Sequence, residues 1–232
     1  MAPTAQITVI AHIRSDFPTK FGIPRQSGLV EELEARIVFE PEYRNEAALR
    51  GLEGFSHLWL IWEFSQARRD TWSPTVRPPR LGGNRRLGVF ATRSPFRPNP
   101  IGLSCVKLVG IDPDTPEGPV IRVAGADLMD GTPIYDIKPY LPYADCKLEA
   151  VGGFASQPKE ASLMVEVPEE LMAQIPADNR AALLGVLAQD PRPSYQDDPE
   201  RVYGMSFGGL EVKFRVEGDR LTLCGVEGAK PQ

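Results

Sequence analysis

Only two histidines and three cysteines occur in the 232 residues. Cys105, Cys146 and Cys224 are widely spaced and odd in number, none belongs to a CxxC pair, and His12 and His57 stand apart from them. That spacing argues against structural zinc and against a disulfide framework, so no metal is expected. A Cys–His nucleophilic pair is left open by spacing, although a strand cysteine such as Cys105 is ordinarily core. The chain has no apolar run of about 18 residues, the length a membrane-spanning helix needs. Its first residues, MAPTAQITVI, lack the basic start, apolar stretch and small-residue cleavage site of a secretory signal. A soluble, cytoplasmic protein with no membrane partner is the expectation. Three signatures are missing too: Gly-x-Gly-x-x-Gly after a strand, a GK[ST] phosphate loop and a Gly-x-Ser-x-Gly elbow. Their absence weighs against a Rossmann nucleotide fold, P-loop chemistry and an α/β serine hydrolase.

What the chain has instead is an ordinary globular balance, 42% hydrophobic and 25% charged, enough for a real core. Proline (23) and glycine (21) are plentiful, which favours turns and irregular β-structure over helical bundles. The formal net charge of −5 argues against indiscriminate nucleic-acid binding. The charge is unevenly placed, however. Residues 71–111 contain no Asp or Glu but hold Arg77, Arg80, Arg85, Arg86, Arg93, Arg97 and Lys107. Such a stretch reads either as a directed anion surface or as a cationic face paired with acids elsewhere in the fold.

The first two-thirds of the chain is patterned as β-structure. Ile7, Val9, Ala11 and Ile13 alternate with other residues, and 33–39 (LEARIVF) is similar. Residues 55–64 (FSHLWLIWEF) form a continuous apolar run suited to a strand covered on both faces. Residues 87–91, 102–111 and 120–124 continue the pattern, with one short helix expected at 46–52. Many short strands between Gly/Pro turns point to a sandwich or a closed barrel rather than βαβ repeats. Residues 152–157 (GGFASQ) read as a linker. Beyond it come a strand at 163–167, a helix with Asp178 as N-cap and Ala182, Leu183, Val186 and Leu187 on one face, and a hairpin turning at Gly218-Asp219. The expected division is therefore 1–154, a mainly β domain, and 155–232, a small α+β domain.

Four segments could carry chemistry. Residues 88–104 (GVFATRSPFRPNPIGLS) pack Arg93, Arg97, Asn99 and three prolines (Pro95, Pro98 and Pro100) between two apolar runs. Proline fixes φ and cannot donate to a β-ladder, so this must be a rigid loop, and two guanidinium forks on a stiff loop lose little entropy on binding a planar or anionic ligand. Residues 21–28 (FGIPRQSG) place Arg25 and Gln26 after Pro24, and an amide suits a base edge or an amino acid. Residues 77–84 (RPPRLGGN) form a rigid-then-flexible loop with cations at both ends. Residues 127–143 (DLMDGTPIYDIKPYLPY) combine a turn at Asp130-Gly131 with Asp136, Lys138, Tyr140 and Tyr143 on a proline-constrained backbone, suited to holding an α-amino acid moiety or removing a proton. Each segment has a bland counterpart: solvated arginines, exposed turns, an acid that caps its own turn or pairs with Lys138. The residues alone lead to a β-rich domain with an arginine-lined, multi-loop site for a polar, aromatic or anionic ligand.

The segments FGIPRQSG, GLEGFSHLWLIWEF, TVRPPRLGGNRRLGVFATRSPFRPNPIGLS and DGTPIYDIKPYLPYAD together resemble the TrmO family, also called YaeB or TsaA-like. The resemblance covers the N-terminal domain nearly end to end, and LAQDPRPSYQ followed by RVYGMSF is similar to the longer bacterial members. It implies a single-sheet β-barrel methyltransferase, a homodimer, that uses S-adenosylmethionine to methylate N6 of N6-threonylcarbamoyladenosine beside the anticodon of tRNA. The missing glycine fingerprint then fits, because this barrel is not a Rossmann enzyme. Carried over by position, the cofactor contacts would be Pro24, Arg25, Gln26, Ser65, Gln66, Arg93, Leu103, Asp130, Gly131, Thr132 and Pro133. Family members often have histidine where this chain has Ser65, a shorter group that can neither stack nor become cationic.

Methyl transfer from a sulfonium is an in-line displacement in which positioning supplies much of the acceleration. The acceptor N6 belongs to a ureido group, and losing its proton makes it a better nucleophile. Asp136 or Tyr140 is the expected aid to that loss. Arg77, Arg80, Arg85, Arg86, Arg97 and Lys138 would hold the anticodon stem-loop or the threonyl carboxylate, with Arg192 and Tyr195 reaching RNA from the C-terminal domain. Two rival functions stay open on sequence: a non-catalytic RNA- or nucleotide-binding module on the same barrel, and a methyltransferase of this fold with another acceptor.

Overall fold

The computed structural model describes residues 4–69, 71–156, 163–193 and 198–229. Its N-terminal part contributes β1 (Ala11–Arg14), β2 (Glu34–Phe39), β3 (His57–Glu63), β4 (Thr75–Val76), β5 (Leu87–Gly88), β6 (Ile101–Asp112), β7 (Val120–Ala124) and β8 (Pro133–Pro139), followed by a one-turn helix α1 (Pro142–Asp145). Six of these strands pair antiparallel in the order β1-β2-β7-β6-β3-β8, and β8 pairs back onto β1, so the sheet closes into a barrel. The short β4 and β5 form a separate ribbon that carries the arginine-rich stretch.

Closure explains why β3 departs from the doubly covered strand its composition predicts. Leu58, Leu60 and Trp62 point into the core at 0, 0 and 7% exposure. Trp59 and Ile61 stay half-buried on the outer face, because a barrel strand has one packed side and one wet side. The alternation of Ile7 and Val9 likewise fails to extend β1 backwards, and Ile7 is exposed. The strand expected at 87–91 stops after two residues and becomes a 3-10 turn closed by Thr92, whose Oγ1 donates to the Val89 carbonyl. At 46–52 a single 3-10 turn, Glu46–Leu49, replaces the expected helix, with Asn45 accepting from the Ala47 amide.

The C-terminal part holds β9 (Met164–Glu166), α2 (Glu169–Met172), α3 (Ala177–Ala188), β10 (Tyr203–Phe207), β11 (Leu210–Glu217) and β12 (Arg220–Gly228). The sheet order is β10-β11-β12-β9, with β9 parallel to β12. The β11–β12 hairpin turns as expected, with Gly218 at φ +59. Helix α3 buries Ala182, Leu183, Val186 and Leu187, but its N-cap is Pro176. Asp178 sits inside the first turn, where its charge complements the helix dipole rather than capping it. The chain is mainly β, with a second sheet in its C-terminal part, in line with its patterning.

Two apolar cores result. One fills the barrel around Ile13, Ile37, Leu58, Leu60, Ile121, Leu128 and Ile134. The other lies between α3 and the C-terminal sheet, yet it also contains Phe17, Val30 and Leu33 from the β1–β2 connection. Phe17 meets Phe207 edge-on at 5.3 Å, and the Gly208 amide donates to the Asp16 carbonyl at 2.9 Å. Gly22, at φ +92, lies so close to the Met205 thioether that a Cβ there would overlap it. The connection that includes 21–28 is thus clamped between the two parts of the molecule.

Candidate active site

Where β3 ends and β6 begins, Trp62 lies opposite Gly102 and its indole covers that glycine so closely that a Cβ would overlap the ring. The indole Nε1 donates to Ser104 Oγ at 2.9 Å, and Ser104 Oγ donates to Asp127 Oδ1 at 2.5 Å. Ser104 is buried, while Asp127, just beyond β7, is half-buried and faces a cleft. Burial pushes the Asp127 carboxyl above the usual range, moderated by the Ser104 hydrogen bond and the Arg93 charge. A carboxylate held this way is a stronger base than a solvated one.

The cleft above this chain measures about 890 Å³. Trp62, Phe64, Ile101 and Leu103 give it an apolar side, with the Trp62 and Phe64 rings 4.2 Å apart and Leu103 51% exposed. Arg93 donates to Gln26 Oε1 across its mouth, and Gln26 in turn donates to the Arg25 carbonyl. Ser27 Oγ accepts from the Cys105 amide at 3.2 Å, and the Gly28 amide donates to the Gly125 carbonyl, so the 21–28 loop is pinned to both β6 and the end of β7. On the wall stands Glu63, 5% exposed, accepting from Arg68 and, at 2.6 Å, from the Tyr135 hydroxyl. Burial alone would raise the Glu63 carboxyl, but the Arg68 and Tyr135 hydrogen bonds and the Arg68 charge hold it below the usual range.

Of the residues singled out by sequence, Pro24, Arg25, Gln26, Ser65, Gln66, Arg93, Leu103, Thr132 and Arg97 line the cleft. Asp130, Gly131 and Pro133 are not among the lining residues. Asp130 accepts from the Ser15 amide at 3.1 Å and lies 3.8 Å from Arg14, while Gly131, at φ +72, makes the turn that presents the buried Thr132. Asp136 and Tyr140 are not among the lining residues. Asp136 spends one oxygen on Lys138 Nζ at 2.8 Å and the other on the Ile137 amide. Tyr140 lies at the other end of β8 against His57 and Trp59. Partial desolvation and the neighbouring Cys146, Cys105 and Asp145 raise its phenol, which makes it harder to ionise. Arg77, Arg85 and Arg86 are exposed on the β4–β5 ribbon and its loop, outside the cleft; Arg86 donates to Thr75 Oγ1. Arg80 falls in a 3-10 turn of the same loop, Pro79–Leu81. Arg192 is ion-paired with Asp190 at 2.8 Å in the C-terminal part, and Tyr195 lies outside the described residues.

Sequence reasoning passed over Trp62, Ser104 and Asp127. The available signals were a serine inside an otherwise apolar strand (IGLSCV) and an acid directly after one (VIRVAGAD). Both mark polar groups that a core must satisfy.

Comparison with known proteins yields two family matches: the tRNA-methyltransferase O N-terminal domain over residues 12–146 and the TrmO C-terminal domain over 160–229. An Escherichia coli protein named tRNA (adenine(37)-N6)-methyltransferase is 42% identical over 219 residues, 91% of this chain and 93% of that one. A Pseudomonas aeruginosa relative whose name refers to S-adenosylmethionine-dependent methyl transfer is 43% identical over 217 residues, 90% of this chain and 91% of its own. The crystal structure of TrmO from Pseudomonas aeruginosa is similar at a TM-score of 0.82 with 34% identity, covering 98% of this chain and all (100%) of that one.

Proposed function

The chain belongs to the TrmO family, and on that premise we propose that it methylates N6 of the threonylcarbamoylated adenosine beside the anticodon of tRNA, with S-adenosylmethionine as methyl donor. The observation that carries this reading is the cleft itself. A volume of about 890 Å³ suits a small ligand and leaves room for an acceptor group, and its apolar side faces a half-buried acid. That pairing fits a cofactor with one purine ring and one cationic amino-acid tail. Trp62, Phe64 and Leu103 would take the ring, and the 21–28 loop with Ser65, Gln66, Arg93 and Thr132 would surround the remainder. When bound, S-adenosylmethionine supplies an electrophilic methyl group on a sulfonium.

Asp127 is our assignment for the proton acceptor. Asp127 would take the proton of the ureido N6, leaving that nitrogen the free electron pair a nucleophile needs, and Ser104 and Trp62 keep the carboxylate oriented. Arg97, which lines the cleft and donates to the Thr92 carbonyl at 3.2 Å, is placed to hold a phosphate or the threonyl carboxylate. Ser65, where relatives often carry histidine, contributes a hydroxyl and no charge. A tRNA acceptor puts the enzyme in the cytoplasm. The reading includes a homodimer, supported by Tyr143, Leu148 and Val151, exposed at 84, 95 and 90% in the single chain.

The test incubates the protein and methyl-labelled cofactor with tRNA that carries or lacks the threonylcarbamoyl group. Label should enter only the modified tRNA. Equal labelling of both, or of neither, overturns the assignment.

A further inference from the structure

A second pocket of about 510 Å³ adjoins the cleft and shares with it Glu63, Arg68, Arg69, Phe96, Arg97 and Asn99. We propose that this pocket, with Trp72 in its lining and Phe90 beside Trp72, receives an unpaired nucleobase next to the one being methylated. The proposal rests on the reading that the acceptor is a single-stranded loop of tRNA.

Three observations lead there. Trp72 and Phe90 are 50 and 71% exposed, with ring centroids 6.0 Å apart and planes tilted by 30°. Large rings left this open on a polar protein are surfaces for something to lie on. Each ring system is attended by a cation: the Arg97 guanidinium stands 6.0 Å from the Phe90 centroid, and Arg69 lies 3.7 Å over Phe96. Among the described residues, the one acid lining the pocket is Glu63, whose charge is already met by Arg68 and Tyr135. Single-stranded nucleic acid wants both rings and cations, bases on π-faces and phosphates on guanidinium groups.

Continuity with the cleft supplies the register. The shared wall means that a strand with one base in the cleft has its neighbour beside Phe96 and Trp72. Asn99, on that wall, offers a donor and an acceptor to a base edge. The rigid 95–100 segment therefore serves both pockets, with Arg69 and Arg97 following the backbone between them.

The experiment uses the full chain and an anticodon stem-loop oligonucleotide carrying 2-aminopurine on one or the other side of the target adenosine. Binding of the unmutated protein should quench the probe on one side. Trp72→Ala and Phe90→Ala, both at exposed positions, should abolish that quench and weaken stem-loop binding about five- to hundredfold, with cofactor affinity by calorimetry unchanged. Trp72→Phe should restore most of the effect. Arg69→Gln should instead lower the slope of log affinity against log salt by about one unit. No quench on either side, or an undiminished quench in both alanine variants, overturns the proposal even if tRNA is methylated normally. So does a Trp72→Ala protein that binds RNA normally but sediments as a smaller species, because the rings would then belong to an interface between copies. A protein that shows the quench and its loss but methylates no tRNA overturns the proposed function and leaves the stacking site standing.

Discussion

Replacing Asp127 by asparagine separates chemistry from architecture at one atom. The side chain keeps its shape, and Ser104 can still donate to the remaining carbonyl oxygen, so the Trp62–Ser104 chain is preserved. What is lost is the ability to take a proton. A positioned general base contributes about 10²- to 10⁴-fold, which is roughly 2.7–5.5 kcal/mol of barrier. Single-turnover methylation at saturating cofactor should slow by that factor. The wild-type rate should fall as pH drops through the Asp127 value, at a pH above the ordinary aspartate range of about 3.9, because burial raises that carboxyl. The variant's residual rate should lack this limb. Stability moves the other way. A carboxyl whose folded-state value is raised contributes stability that is fully present below the unfolded value and lost as pH rises through the folded one. At neutral pH the wild type therefore bears a burial cost that asparagine avoids, and the variant should melt at the same temperature or higher, its advantage closing as pH falls toward 4. Asp136→Asn is the internal control: it removes a half-exposed ion pair with Lys138 and should change the rate less than about twofold. An unchanged rate in Asp127→Asn, or a loss matched in full by unfolding, refutes the assignment.

Gly102→Ala puts a methyl into the Trp62 indole and should cost about 1–3 kcal/mol in urea unfolding, with weaker cofactor binding as the ring is displaced. Glu63→Gln addresses a buried carboxylate whose folded-state value is lowered, so its stabilisation is present above the unfolded value and lost as pH falls through the folded one. The variant should be about 1–3 kcal/mol less stable at pH 7 and should show a flatter acid limb; an acid limb as steep as the wild type's would remove Glu63 from the account. Phe17→Ala empties a position that is 1% exposed at the junction of the two cores, for about 3–5 kcal/mol. The two parts should still melt together, and two resolved calorimetric transitions would contradict a shared core.

Strand positions were the most legible part of the chain, because alternation of apolar residues is a local signal. Val120–Ala124 and the terminal hairpin around Gly218 are where the pattern puts them. The register facts that build the site are not local. Trp62, Ser104 and Asp127 are far apart in sequence, and only the pairing of Trp62 with Gly102 on β6 brings the indole over a residue without a side chain. From sequence, Asp136 is a candidate base because it lies with Lys138, Tyr140 and Tyr143 on a proline-constrained backbone. On β8 it is opposite Ile61 and satisfied by Lys138 one pleat away. The bland alternative open on sequence, an acid paired with Lys138, is what the strand produces, because residues two apart share one face. Arg93, on the proline-stiffened 88–104 loop, and Gln26, two residues after Pro24, are by contrast both candidates on sequence, and the fold brings them together.

The loop holding Gln26 also explains why the C-terminal part matters to a cleft that none of its described residues lines. Phe21 and Ile23 are partly buried against the C-terminal core, and Gly22 rests on Met205. Pro24, Arg25 and Gln26 follow immediately and enter the cleft. Fixing the two ends of such a loop removes conformational freedom before any ligand arrives, at about 1–2 kcal/mol per ordered residue. Some of that ordering comes from β6 and β7, through Ser27 and Gly28, and the rest from Phe17 and Gly22 against β10. A Rossmann enzyme holds its cofactor with a glycine turn at one helix N-terminus. In the site proposed here that preorganisation would be divided between a proline-stiffened loop from the barrel and a glycine-seated loop from the domain junction, which the Arg93–Gln26 hydrogen bond joins.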